Sequence, residues 1–141
     1  MLTITKEFSF AYGHRLYNNC LTESENKNEY GPCTNIHGHN SILRVTVASL
    51  NSDESSNLVN GMIINFSVLK EIVNTLIISK LDHRFLNELV SEIPDFPSIP
   101  TCENIIQWIH KTLQPALKEY NVKCVQLDLY ETPTSYATWK E

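Results

Sequence analysis

No apolar run in this chain approaches the roughly 20 residues that a membrane-spanning helix requires. Met1 to Lys6 alternates like a strand and lacks the apolar core of a secretion signal, so a cytoplasmic location is expected. Positive charge is scarce. Eleven Lys and Arg against sixteen Asp and Glu leave a net charge of −5, which argues against a general nucleic-acid surface. A local basic pocket for a phosphorylated small molecule is still compatible with that balance. Without a secretion signal, Cys20, Cys33, Cys102 and Cys124 are expected to be free thiols in a reducing compartment. There is no internal repeat and no low-complexity tract. What remains is one domain over residues 1–141, long enough for its own core and 42% apolar.

Of the five histidines in 141 residues, two stand in one tripeptide, His37-Gly38-His39. On extended backbone, residues two apart point to the same face, so both imidazoles can meet one ion. A lone pair of this kind is weak evidence, because surface histidines pair by chance. Catalytic zinc sites usually take three protein ligands and leave a fourth position for water or substrate. Cys33, four residues earlier, is either the third ligand or a nucleophile or base beside the metal.

Residues 2–12 alternate, with Leu2, Ile4, Phe8, Phe10 and Tyr12 on one side and Lys6 as the exception. His14 shares their parity and would face inward, which makes it a candidate third ligand. Leu43, Val45 and Val47 continue the odd parity of His37 and His39. The two strands are therefore expected to pair antiparallel with the histidines near one end. Residues 17–32 are polar and without sustained period, and read as a surface loop; residues 51–57 read as a turn-rich connection.

Asn65 is positioned to cap a helix running to about Lys80, with an apolar stripe of Phe66, Leu69, Ile72 or Val73, and Leu76 or Ile77. Asp82-His83 follows at the helix end. Such dipeptides are usually solvated, but a carboxylate beside an imidazole also raises its basicity and sets its tautomer. Thr101 should cap a second helix, with Glu103 in its first turn and Pro115 kinking it or ending it early. From Val122 to Glu131 the alternation returns, placing Val125, Leu127, Leu129 and Glu131 on one face. A last strand spans Tyr136 to Lys140. The expected architecture is α+β, in the order β-β-α-α-β-β, with a four-stranded antiparallel sheet and two helices on one face.

These residues, in this order, resemble the 6-pyruvoyl-tetrahydropterin synthase family, which includes the bacterial 6-carboxytetrahydropterin synthases of queuosine biosynthesis. The matching pieces are Phe8-Ser9-Phe10 with His14-Arg15-Leu16, Cys33 with His37-Gly38-His39-Asn40, Gly61-Met62 with Phe66, Leu81-Asp82-His83 with Leu86-Asn87, Pro100-Thr101 with Glu103-Asn104, and Glu131-Thr132. They span nearly the whole chain. The resemblance implies a T-fold whose subunits close a barrel, typically a homo-hexamer of two trimers with active sites between subunits. It implies Zn2+ on His14, His37 and His39. Cys33 then corresponds to the catalytic base, Asp82 and His83 to an acid/base pair, and Glu131 to the pterin anchor, with Thr101 and Glu103 lining the pterin pocket. The implied substrate is 7,8-dihydroneopterin triphosphate. Ser41, Asn65 and Cys102 depart from the family pattern, at positions that shape the pocket rather than carry its chemistry.

Two reactions compete within the family. The four-residue step from Cys33 to His37 resembles the carboxy-forming enzymes, and is the reading favoured here. The longer loop ending Tyr30-Gly31-Pro32 looks more like the pyruvoyl-forming type. A third reading is a non-catalytic zinc or pterin-binding module in which Cys33 closes the site as a fourth ligand.

Overall fold

The computed structural model describes residues 1–51 and 58–141. Most of the connection expected over residues 51–57 thus lies outside the described residues. The sheet has five strands: β1 (Ile4–His14), β2 (His37–Ser49), β3 (Arg84–Phe85), β4 (Val122–Thr132) and β5 (Ser135–Lys140). They lie in the order β3-β1-β2-β4-β5. β1, β2, β4 and β5 are the four antiparallel strands expected. The fifth, β3, corrects the count. It is two residues long, pairs parallel to β1 through Tyr12 and Gly13, and is too short to leave a periodic trace.

One face of the sheet carries the alternating apolar rows. Phe8, Phe10 and Tyr12 of β1 join Leu43, Val45 and Val47 of β2 and Leu127 and Leu129 of β4 in the core. Lys6 shares their parity but is only half-buried, its ammonium 5.9 Å from the centre of the Phe8 ring. The expected row on β4 needs one correction. A bulge opposite Thr46 and Val47 inserts an extra residue, so Cys124 pairs with Val47 while Gln126 pairs with Thr46. The insertion flips parity. Val122 and Cys124 enter the core, and Val125, though buried, stays out of it.

Helices cover that face. α2 (Phe66–Val73) starts at Asn65, whose side chain accepts the Ser67 N–H at 2.8 Å. It continues through a π turn (Asn74–Ile78) into α3 (Ser79–Leu81), close to the expected end. Leu69, Val73, Ile77 and Leu81, every fourth residue, are fully buried, whereas Phe66 is half exposed. α4 (Cys102–Lys118) is capped by Thr101 and buries Ile105, Ile109, Leu113 and Leu117. Pro115 does not end it early. The helix runs on for three residues beyond it, to Lys118.

The stretch expected to be a loop contains α1 (Glu23–Tyr30), the third correction. Its stabilisation is polar, which is why hydrophobic periodicity misses it. Asn26 is fully buried, accepts the Asn18 N–H at 2.8 Å, and donates to the carbonyls of Asn18, Leu21 and Thr22. Thr22-Glu23-Ser24-Glu25 has the spacing of a capping box, and the Thr22 hydroxyl accepts the Glu25 N–H. That was the legible signal. Asn26→Ala leaves the Asn18 amide without its partner and should cost about 1–3 kcal/mol in urea unfolding. Amide exchange should accelerate over residues 18–30; unchanged exchange there would contradict the anchoring role.

Candidate active site

The register between β1 and β2 sets His14 opposite His37 and Tyr12 opposite His39. Opposed residues of an antiparallel ladder share a face, so three imidazoles converge at one end of the sheet. Their ring centroids are 4.6, 5.1 and 5.0 Å apart, and one ligand atom from each lies within 4.8 Å of the others. Gly38 makes this approach possible. A Cβ there would stand 3.0 Å from the Tyr12 carbonyl oxygen, tighter than most real Cβ contacts, so the facing strand would have to give by a few tenths of an ångström.

The hydrogen bonds orient the rings for a metal. His14 Nδ1 donates to the Pro100 carbonyl at 2.9 Å and His37 Nδ1 to that of Asn35 at 2.7 Å, leaving each Nε2 as the lone-pair nitrogen. The Nε2 atoms of His14 and His39 are buried and make no hydrogen bond. Buried polar atoms are rarely left so, and a cation at the common focus would satisfy both. The donor set of three neutral imidazoles suits zinc with one position open. Burial pushes the His14 imidazole down to about 4, against a bond to Pro100 that favours its charged form. Burial also lowers His39, while the nearby Glu131 carboxylate opposes the shift. Neutral rings are ligand-competent rings.

Tyr12, expected from its parity to be a core residue, belongs to the site as well. Its hydroxyl is buried without a partner, and its ring stands edge-on to His14 at 5.2 Å. Burial raises its pKa beyond the ordinary tyrosine range, so it stays a neutral donor. Its odd feature in the sequence was a phenol in line with His14.

The other candidates fall around this cluster. Cys33 lies in a 3₁₀ turn (Gly31–Thr34), half-buried, its carbonyl accepting the N–H of Leu16, two residues after His14. It is not part of the metal-competent group. Glu131 Oε1 stands 3.3 Å from His39 Nε2 without hydrogen-bond alignment. Glu131 and Glu103 line one cavity of about 190 Å³ together with Cys102 and Tyr136. Thr101 is not among the residues lining it, and its hydroxyl accepts the Asn104 N–H as the cap of α4.

Asp82 and His83 form a pair at the other edge of the sheet. Asp82 Oδ1 accepts the Ala11 N–H at 2.9 Å, and Oδ2 lies 3.0 Å from His83 Nδ1. Those bonds, the one from Ala11 foremost, hold the Asp82 carboxyl below its usual range. His83 has φ of 59°, an unusual conformation for a residue other than glycine, and its N–H is tied to the Ala11 carbonyl. Its imidazole is largely exposed, at the lip of an open cleft of about 580 Å³ that His39 also lines.

The model of the 6-pyruvoyl tetrahydropterin synthase family matches residues 3–141. A 6-pyruvoyl tetrahydrobiopterin synthase of Dictyostelium discoideum is 32% identical over 97% of this chain and 94% of its own length. A 6-carboxy-5,6,7,8-tetrahydropterin synthase of Bacillus subtilis is 35% identical over 78% of this chain and 71% of its own. The structure of Caenorhabditis elegans 6-pyruvoyl tetrahydropterin synthase superposes with a TM-score of 0.82 at 25% identity, covering 99% and 95% of the two chains.

The cluster predicts one zinc per chain. His37→Ala should lose most of it on metal analysis after dialysis, with secondary structure intact by circular dichroism. Full retention would show that the three imidazoles are not the ligands.

Proposed function

This chain belongs to the 6-pyruvoyl tetrahydropterin synthase family, and on that premise we propose that it is a zinc-dependent lyase acting on 7,8-dihydroneopterin triphosphate. The observation that carries this reading is the His14, His37 and His39 cluster, with two buried Nε2 atoms that make no hydrogen bond. Zinc held there supplies a Lewis acid that lowers the pKa of the substrate's side-chain hydroxyls.

The chain's own residues do the rest. Cys33, free and half-buried beside the strand end that carries His14, takes the proton from the carbon next to the bound hydroxyl. The Glu131 carboxylate accepts the 2-amino and ring N–H groups of the pterin as a fork. Glu103 lines the same cavity, placed by the Thr101 cap. Asp82 orients His83 to move the hydroxyl proton, and triphosphate leaves by elimination.

Asp82-His83 adjoins β3, at one edge of the sheet, while Glu131 lies at the end of β4, next to the opposite edge strand, β5. A site using both is completed when the edges of neighbouring subunits meet. Edge-to-edge closure into a barrel also removes unpaired strand edges. The polar face opposite the core, where Arg44 bonds Glu7 and the Tyr130 hydroxyl and Asp128 accepts from Thr138, would then line its interior. A homo-hexamer of two trimers is the assembly proposed. Four free thiols fit a reducing, cytoplasmic setting.

The short step from Cys33 to His37 favours the carboxy-forming reaction of queuosine biosynthesis. A second reading, the pyruvoyl-forming reaction, is supported by the name of the Dictyostelium relative, which matches over nearly the full length of both chains. Product analysis separates them: acetaldehyde with a carboxylated pterin, or a pyruvoyl pterin. No turnover of dihydroneopterin triphosphate would overturn both.

Cys33→Ala should keep zinc and pterin binding while turnover falls about 10²–10⁴-fold, the usual worth of a general base. Iodoacetamide at pH 8 should modify Cys33 and spare Cys102 and Cys124, whose thiols burial pushes up to about 11 and about 12. Full activity of the variant would remove Cys33 from the mechanism.

A further inference from the structure

Tyr12 touches the histidine cluster, yet none of the preceding chemistry uses its hydroxyl. Among the described residues, four buried side-chain polar atoms have no hydrogen-bond partner, and three of them are the Tyr12 hydroxyl and the Nε2 atoms of His14 and His39. These three side chains pack together. The Tyr12 ring stands edge-on to His14 at 5.2 Å and tilted against His39 at 5.7 Å, and Phe10 packs on it at 5.7 Å. With the residue only 4% exposed, that packing holds the ring in place.

The neighbouring polar groups are engaged elsewhere. His14 Nδ1 donates to the Pro100 carbonyl at 2.9 Å, the Ser41 hydroxyl to that of Tyr130 at 2.6 Å, and the Cys102 thiol to that of Leu129 at 3.1 Å. Glu131 reaches the phenol only through its charge, which adds to burial in keeping the phenol protonated. A cation at the focus of the three imidazoles would satisfy both nitrogens, but it offers nothing to an O–H group. What is left is a neutral donor, and a buried donor without an acceptor is costly. An acceptor atom brought in by a ligand completes it.

We propose that Tyr12 is a further substrate-contacting residue, whose hydroxyl donates to the side-chain oxygen that the substrate presents to the histidine cluster. The inference rests on the substrate class proposed above. Its donor is fixed before the ligand arrives, so no reorganisation is needed on binding. The bond strengthens as negative charge grows on that oxygen, when the hydroxyl proton moves to His83. The phenol keeps its own proton throughout. Tyr12 therefore selects ligands that carry a hydroxyl or carbonyl oxygen at this place.

Tyr12→Phe tests this, because it removes the hydroxyl and keeps the ring that packs on His14 and His39. The zinc-loaded proteins are titrated calorimetrically with neopterin, whose side chain carries hydroxyls, and with 6-methylpterin, whose side chain has none. Tyr12→Phe should weaken neopterin about 3–10-fold, the worth of one neutral hydrogen bond, and leave 6-methylpterin unchanged. Zinc content should be equal in the two proteins. Without ligand, the variant should unfold at the same or a higher temperature, since an unsatisfied donor has left the interior. A lower unfolding temperature would show a structural partner for the hydroxyl and overturn the proposal.

Equal neopterin affinity in wild type and Tyr12→Phe would also overturn it. So would equal weakening of both pterins, or loss of zinc, which would make the phenol a ligand to the metal. Acetohydroxamate, with two oxygens and no pterin ring, separates this inference from the reading it rests on. Where neopterin does not bind the wild type at all, an acetohydroxamate complex about 3–10-fold weaker in Tyr12→Phe upholds the donor while refuting the pterin substrate. Equal acetohydroxamate affinity in that case overturns both.

Discussion

The pairing of His14 with His37 across β1 and β2 is the constraint on which the rest depends. A slip of one residue in this register would turn every side chain of one strand to the other face. The metal-competent cluster and the core would be lost together, because the same parity that aims the histidines also buries Phe8, Phe10, Leu43 and Val45. The hydrophobic rows therefore hold the site in register. Stability and chemistry share one alternation, and Gly38 is the concession that lets the two backbones close at the end where the rings meet.

Around that cluster the fold distributes different tasks to separate segments. The turn before α4 supplies Pro100, whose carbonyl sets the His14 tautomer, and Thr101, whose hydroxyl starts the helix that presents Glu103. The end of β4 brings Glu131 against His39. The segment after α3 ties Asp82 and His83 to Ala11, on the far strand edge. Apart from the Thr101 cap, each of these contacts is long-range in sequence, so the geometry is a property of the whole sheet rather than of any loop. That is the arrangement in which rigid elements place reactive groups and only the rims are left to a ligand.

Much of this was legible in the sequence where a single physical rule governs. The parity of His14 with Tyr12, and of His37 and His39 with Leu43, placed all three rings on one face, and the register agrees. Asn65 and Thr101 cap their helices as their residue types require. Where two effects compete, periodicity failed. α1 is anchored by a buried asparagine instead of an apolar stripe. The bulge at Val125 reverses an alternation that looks unbroken in one dimension. β3 exists because Asp82 and His83 bind the edge of β1, a tertiary cause with no local signature. The unpartnered Tyr12 hydroxyl and Arg15 Nε could be recognised only once their surroundings were known.

The central claim is that three imidazoles, and no thiolate, hold the metal and leave a position open for substrate. Zinc K-edge X-ray absorption on the purified protein tests it most directly. The account predicts a first shell of nitrogen and oxygen at about 2.0–2.1 Å, with outer-shell scattering from three imidazoles. A sulfur shell at about 2.3 Å would make Cys33 a ligand, close the site and contradict its role as a base.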